Sequence, residues 1–205
     1  MKLKVCGLSK IIEVQTSVNY GADFCGFILN YPKSHRFITY DQAVILTKVP
    51  KKNSKYVGVL VKPTMAELEK FSKLDLDYFQ LYGNYDANEI LKIKEQYKKK
   101  IIVSIQVENE EDVEKYKLFE RCSDIILWDS TGYEKSLSWD FNLIKTVPTR
   151  VTKMVAGNIN IKKLKDLLGL TDIIDVSGAL ETNKVKDIDK IKKFITEVKK
   201  INDAN

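Results

Sequence analysis

The sequence predicts an α/β fold, a single-domain (β/α)8 barrel of the TIM type spanning residues 1–205. Three observations carry this. Eight short apolar runs recur along the chain. Several are apolar at successive positions, the mark of strands buried on both faces of a parallel sheet. Amphipathic stretches separate them, and alternating strands and helices argue for right-handed crossovers in one parallel sheet. The length lies close to the ~200-residue lower limit of the barrel. The rival is an open doubly wound sheet, whose Gly-x-Gly-x-x-Gly fingerprint is missing after the first run; Cys6-Gly7-Leu8-Ser9 stands there instead.

Each element follows from its own pattern. Strands are expected at 3–5, 24–29, 57–61, 78–81, 101–107, 125–128, 153–156 and 173–176. Met65, Leu68 and Phe71 mark the buried face of one helix, and Ile161, Leu164, Leu167 and Leu168 that of another. Ile188, Ile191, Phe194, Ile195, Val198 and Ile201 mark the last. Thr64 followed by Glu67, and Asp86 followed by Glu89, read as capping boxes. Two further helices are expected near 39–49 and 139–147, the second stopped by Pro148. No Pro/Gly/Ser linker divides the chain.

The composition is that of a soluble globular protein, 44% hydrophobic and 30% charged. No apolar run approaches the ~20 residues needed to span a bilayer. The first residues run straight into a strand-like pattern without a signal peptide's apolar segment, so a cytoplasmic protein with no membrane partner is expected. Three cysteines form no disulfide framework and show no metal-ligand spacing, and the single His35 cannot anchor a metal site. The net charge of +6 is spread over helix-like segments among acidic residues. That pattern reads as solvated helix faces rather than a nucleic-acid surface, and it suits a small anionic substrate. The chain is expected to act as a monomer, without metal or cofactor.

A barrel of this kind builds its active site at the C-terminal ends of the strands. Strand ends therefore supply the candidates. Gly157 after strand seven and Ser177-Gly178 after strand eight fit the usual phosphate loops, where small residues let backbone N–H groups approach an anion. The alternative is that they are tight turns. Asp175, at the same strand end, joins the substrate-binding candidates. Cys6 ends strand one and Asp129 ends strand six, so both face the barrel mouth. A carboxylate after Ile125-Ile126-Leu127-Trp128 is costly to bury without a partner or a task. Cys6 on its own reads equally as core packing or as a reagent that needs a positive environment. Arg36 reads first as a surface side chain, with a two-point clamp on a carboxylate as the alternative. His35 reads as a solvated loop residue, and Cys25 and Cys122 as packing.

The ordered motifs Lys4-Val5-Cys6-Gly7-Leu8-Ser9, Gly26-Phe27-Ile28 with Lys33-Ser34-His35-Arg36, Val57-Gly58-Val59-Leu60-Val61, Gln80-Leu81-Tyr82-Gly83, Ile126-Leu127-Trp128-Asp129-Ser130, Ala156-Gly157-Asn158 and Asp175-Val176-Ser177-Gly178-Ala179-Leu180-Glu181 followed by Val185-Lys186-Asp187 resemble those of phosphoribosylanthranilate isomerases. The resemblance runs from residue 2 to about 195. It implies a ribulose-phosphate-binding barrel that converts N-(5-phosphoribosyl)anthranilate into 1-(2-carboxyphenylamino)-1-deoxyribulose 5-phosphate in tryptophan biosynthesis, without a cofactor. Carried over by position, Cys6 is the general base and Asp129 the general acid. Arg36 contacts the anthranilate part, and Gly157, Asn158, Ser177 and Gly178 form the phosphate loops. The sequence departs from the family at four places. The family's Gly-Gly-Thr-Gly stretch and Phe-Asp-Trp are replaced by Thr131-Gly132-Tyr133-Glu134-Lys135-Ser136-Leu137-Ser138-Trp139-Asp140-Phe141. The double glycine after strand seven is Gly157-Asn158, and Ser-Ser-Gly after strand eight is Ser177-Gly178-Ala179. The usual histidine after Gln-Leu is Tyr82. Two other readings stand beside this one. One is a related phosphosugar barrel enzyme, for which Lys62 after strand three would be a candidate lysine; the other is a non-catalytic phosphosugar-binding protein.

Overall fold

Eight parallel strands close on themselves in chain order. A computed structural model describes residues 1–132 and 137–204. The strands are β1 (Lys2–Cys6), β2 (Phe24–Ile28), β3 (Lys55–Val61), β4 (Tyr78–Tyr82), β5 (Lys100–Val107), β6 (Ile125–Ser130), β7 (Lys153–Val155) and β8 (Ile173–Val176). Closure comes from β8 lying beside β1, with Lys2 opposite Ile173 and Lys4 opposite Asp175. The helices are α1 (Ile11–Tyr20), α2 (Tyr40–Leu46), α3 (Met65–Ser72), α4 (Ala87–Tyr97), α5 (Glu110–Glu114), α6 (Leu164–Leu167) and α7 (Ile188–Asp203). After Thr171 the chain forms β8 and then a short antiparallel pair, β9 (Glu181–Thr182) and β10 (Val185–Lys186), before α7.

Two-sided burial explains the run-like strand sequences. In β2 all five residues are buried. Cys25 and Phe27 pack outward into the layer shared with the helices, whereas Phe24 and Ile28 pack into the barrel interior. Strand period 2 sets this alternation. The interior is filled by Val57, Val59, Tyr78, Ile102, Ile125, Leu127, Met154 and Ile173. The outer layer closes through α7, whose Ile191, Phe194, Ile195 and Val198 are buried. Each such side chain contributes ~1.5–3 kcal/mol on leaving water.

Both expected capping boxes form. The Thr64 hydroxyl accepts from the Glu67 N–H and the Glu67 carboxylate accepts from the Thr64 N–H, at 3.2 and 2.8 Å. Asp86 and Glu89 do the same at 2.9 and 2.8 Å. The segment expected to be helical at 139–147 is only a 3-10 turn, Phe141–Thr146. Pro148 follows directly, and so short a segment leaves few hydrogen bonds to sustain an α-helix. Not every lysine lies on a solvated face. Lys4, Lys153 and Lys186 are buried. Cys25 and Cys122 are core residues, as expected.

Candidate active site

The C-terminal ends of the strands surround a cavity of about 480 Å³. Cys6, Arg36, Asp129, Gly157, Asn158, Asp175, Ser177 and Gly178 all line it. The candidates of the isomerase reading are thus brought together. Lys62 is not; it lines a separate pocket beside β4 and β5.

Period 2 fixes what β1 presents. Leu3 and Val5 pack outward, so Lys4 and Cys6 point inward. Lys4 is fully buried, and its ammonium bonds the Asp175 carboxylate at 2.7 Å across the β1–β8 seam. Asp175 Oδ1 is buried and has no hydrogen-bond partner among the described residues. Gly26, opposite Cys6 in register, makes the room: a Cβ there would sit 2.9 Å from Cys6 Sγ and 3.1 Å from Lys4 Nζ. The thiol and the ammonium therefore flank one vacant point. Burial pulls the Lys4 pKa down, but Asp175 and Cys6 outweigh it and hold it at about 12. Burial pushes the Cys6 thiol up, Asp175 adds to that, and Lys4 and then Lys186 pull it back only in part.

Asp129 rises from β6, which β7 and β8 separate from β1. Its Oδ2 accepts from the Tyr82 hydroxyl at 2.8 Å and its Oδ1 from the Ser130 N–H at 2.8 Å. Burial raises its pKa to about 6. The Tyr82 hydrogen bond opposes the rise, Asp175 adds to it, and Ser130 and Lys4 oppose it further. A carboxyl group at that value exchanges protons close to neutrality.

Arg36 is not a surface residue. It is buried and holds Glu181 through two nitrogens, Nη2 reaching Oε2 at 3.0 Å and Nε reaching Oε1. Gly7 permits this placement, since its φ is +78° and a Cβ there would lie 2.4 Å from Arg36 Cδ. Nor is His35 simply solvated: its Nε2 lies 3.1 Å from Glu181 Oε2. Lys186 joins the same carboxylate and also bonds the carbonyl and hydroxyl of Ser177, both at 3.1 Å. Burial alone would raise the Glu181 pKa, but Arg36 and Lys186 hold it at about 2. Glu181 thus links the Arg36 side of the cavity to the Ser177 side. The Ser177 hydroxyl donates in turn to the Cys6 carbonyl at 3.0 Å.

The chain after β6 lies over the end of β7. Trp139 Nε1 donates to the Ala156 carbonyl at 2.8 Å, and Asn158 Nδ2 donates to Ser138 Oγ at 2.8 Å. Asn158 has φ +44°, a left-handed conformation that asparagine tolerates. Of the atypical segment 131–141, Tyr133, Glu134, Lys135 and Ser136 lie outside the described residues. Sequence reasoning missed Lys4, Glu181 and Lys186 and left Tyr82 without a role. For Lys4 strand parity was the available signal, since a residue two before a mouth-facing strand end points the same way.

The family model for N-(5'-phosphoribosyl)anthranilate (PRA) isomerase matches residues 3–197. The N-(5'-phosphoribosyl)anthranilate isomerase of Streptococcus mutans is 32% identical, over 97% of this chain and 99% of that protein. The crystal structure of phosphoribosyl anthranilate isomerase from Thermotoga maritima superposes with a TM-score of 0.87 at 28% identity, covering 98% of this chain and 99% of the other. A phosphoribosyl anthranilate isomerase in complex with reduced 1-(o-carboxyphenylamino)-1-deoxyribulose 5-phosphate gives a TM-score of 0.84 at 28% identity and the same coverage. With the family model matched over residues 3–197 and a relative 32% identical over 97% of its length, this chain belongs to the N-(5'-phosphoribosyl)anthranilate isomerase family.

Proposed function

We propose that this chain isomerises N-(5-phosphoribosyl)anthranilate to 1-(2-carboxyphenylamino)-1-deoxyribulose 5-phosphate, by acid–base chemistry and without a cofactor. The observation that carries the reading is one cavity holding a thiol, a carboxyl group of pKa about 6, and two loops of small residues. Asp129 gives its proton to the ribose ring oxygen. The bond from that oxygen to C1 breaks, and the nitrogen lone pair forms an iminium at C1. The iminium acidifies the C2 hydrogen. The Cys6 thiolate takes that proton, and the released electron pair forms the C1=C2 bond of an enolamine. Loss of the C2 hydroxyl proton and protonation at C1 give the ketone. Each of the two groups contributes ~10²–10⁴-fold.

Binding falls to the remaining groups. Gly157, Asn158, Ser177 and Gly178 cradle the phosphate, a grip remote from the reacting carbons that orients the sugar. Asp175 Oδ1 is aimed at a sugar hydroxyl, which would supply the partner it lacks in the protein. Arg36 takes the anthranilate carboxylate. The ligand is a small anion, and every group the chemistry uses comes from one chain, so residues 1–205 act as a single domain and a monomer suffices. Among the described residues no helix is long and apolar enough to cross a membrane. Three buried free thiols suit the reducing cytoplasm, where we place the enzyme. Following the loss of substrate fluorescence with purified protein tests the reading: turnover supports it, and substrate that persists at stoichiometric enzyme overturns it.

A further inference from the structure

Tyr82 ends β4 and points into the barrel with Gln80, two residues before it on the same face. The two side chains and Asp129 form a directed chain. Gln80 Nε2 donates to the Tyr82 hydroxyl oxygen at 3.1 Å, which turns the phenol proton outward. That proton is donated to Asp129 Oδ2 at 2.8 Å. The amide nitrogen can only donate and an ionised carboxylate can only accept, so the order of donors is fixed from end to end. Burial holds the Tyr82 hydroxyl well above its ordinary pKa, with Asp129 next in effect, so the phenol keeps its proton throughout the working range.

The consequence falls on the carboxyl group. Its Oδ1 accepts from the Ser130 N–H and its Oδ2 from Tyr82, both from the protein side. A proton arriving on Asp129 is then left to the lone pairs that face the cavity. We propose that Tyr82, fixed by Gln80, is a positioning residue that sets the acidity of Asp129 and turns its acidic proton toward the ligand. This rests on the isomerase reading for its catalytic meaning, but its effect on Asp129 is a property of the protein itself. The other ionisable groups acting on Asp129 are Asp175 on β8 and Lys4 on β1, and Asp175 and Cys6, the latter also on β1, act on Tyr82. Tyr82→Phe leaves all of these in place and removes only the hydroxyl.

The experiment is a carbon-13 carboxyl titration of Asp129, run alongside the pH profile of kcat/KM, in wild type, Tyr82→Phe and Tyr82→His. Losing one charge-assisted hydrogen bond raises the carboxyl pKa by about one unit. The carboxyl titration of Tyr82→Phe is expected to move up by that amount, and the acidic limb of kcat/KM with it, while KM changes by less than about twofold. Tyr82→His keeps a ring N–H donor and is expected to restore at least half of the shift. An Asp129 titration in Tyr82→Phe that coincides with wild type overturns the proposal, as does a loss confined to KM. A wild type without isomerase activity would overturn the function, and the carboxyl titration would still decide the role of Tyr82.

Discussion

Lys4 and Asp175 face each other with side chains only 0% and 6% exposed, in the floor beneath the proposed base. Breaking one partner of such a pair leaves an uncompensated charge inside the barrel and costs ~3–5 kcal/mol. Lys4→Met is therefore expected to unfold at markedly lower denaturant than wild type, and Lys4→Met/Asp175→Leu to recover much of the loss. Equal destabilisation of the single and double variants would contradict the pairing. The same substitution removes the nearest cation from the Cys6 thiol, so thiol alkylation in Lys4→Met is expected to need higher pH than in wild type. At this scale the sequence was half legible. Cys6 and Asp129 stood out because a thiol and a carboxylate at strand ends are conspicuous. Lys4 was not singled out in a lysine-rich chain, because its burial depends on Asp175 arriving 171 residues later. Arg36 was read as exposed for the same reason: its partner Glu181 lies 145 residues away.

The strands themselves were readable, since burial on both faces writes itself into successive apolar residues; β8 falls where it was expected and the other seven shift only at their ends. The segments that carry the site were less so. The β9–β10 ribbon has two residues per strand, too few for a pattern, yet it presents Glu181 to Arg36, His35 and Lys186. Glu181 has its carboxyl held at about 2 in the folded chain against an ordinary 4.5. A depressed carboxyl stabilises the fold above its unfolded pKa, and that contribution is lost as pH falls through the folded value. Wild-type Tm is accordingly expected to fall between about pH 4.5 and 2 through this group, and Glu181→Gln to flatten that stretch of the profile. A Glu181→Gln profile parallel to wild type over that range would contradict the assignment. The segment after β6 is pinned by Trp139 to the carbonyl that precedes Gly157. Trp139→Phe removes that hydrogen bond, worth ~1 kcal/mol, and a KM about fivefold higher with kcat little changed is expected. An unchanged KM would show that this contact does not shape the phosphate loop.

Across the whole molecule, eight strands that end on one rim explain why residues scattered from 6 to 178 share one cavity. The closed barrel was legible because its repeat is local; the proton inventory of the cavity was not, because it depends on which charges the closure brings together. That inventory has a consequence. Asp129 loses its proton near pH 6, while Cys6 keeps its own beyond the ordinary thiol value of 9.0. The working pair needs the reverse, a protonated Asp129 and an ionised Cys6, so turnover proceeds through the minor of two singly protonated forms. The population of that form is constant between the two pKa values and falls outside them. kcat/KM is expected to rise to a plateau at about pH 6 and to decline only above pH 9, as a bell whose acidic limb belongs to Asp129. The most direct test of the central claim is the steady-state rate of substrate fluorescence loss in wild type, Cys6→Ala and Asp129→Asn, with ligand binding measured on the same samples. Wild-type turnover, with each variant still binding product but slowed by ~10²–10⁴-fold, is the predicted result. Full activity in either variant would contradict the assignment of acid and base.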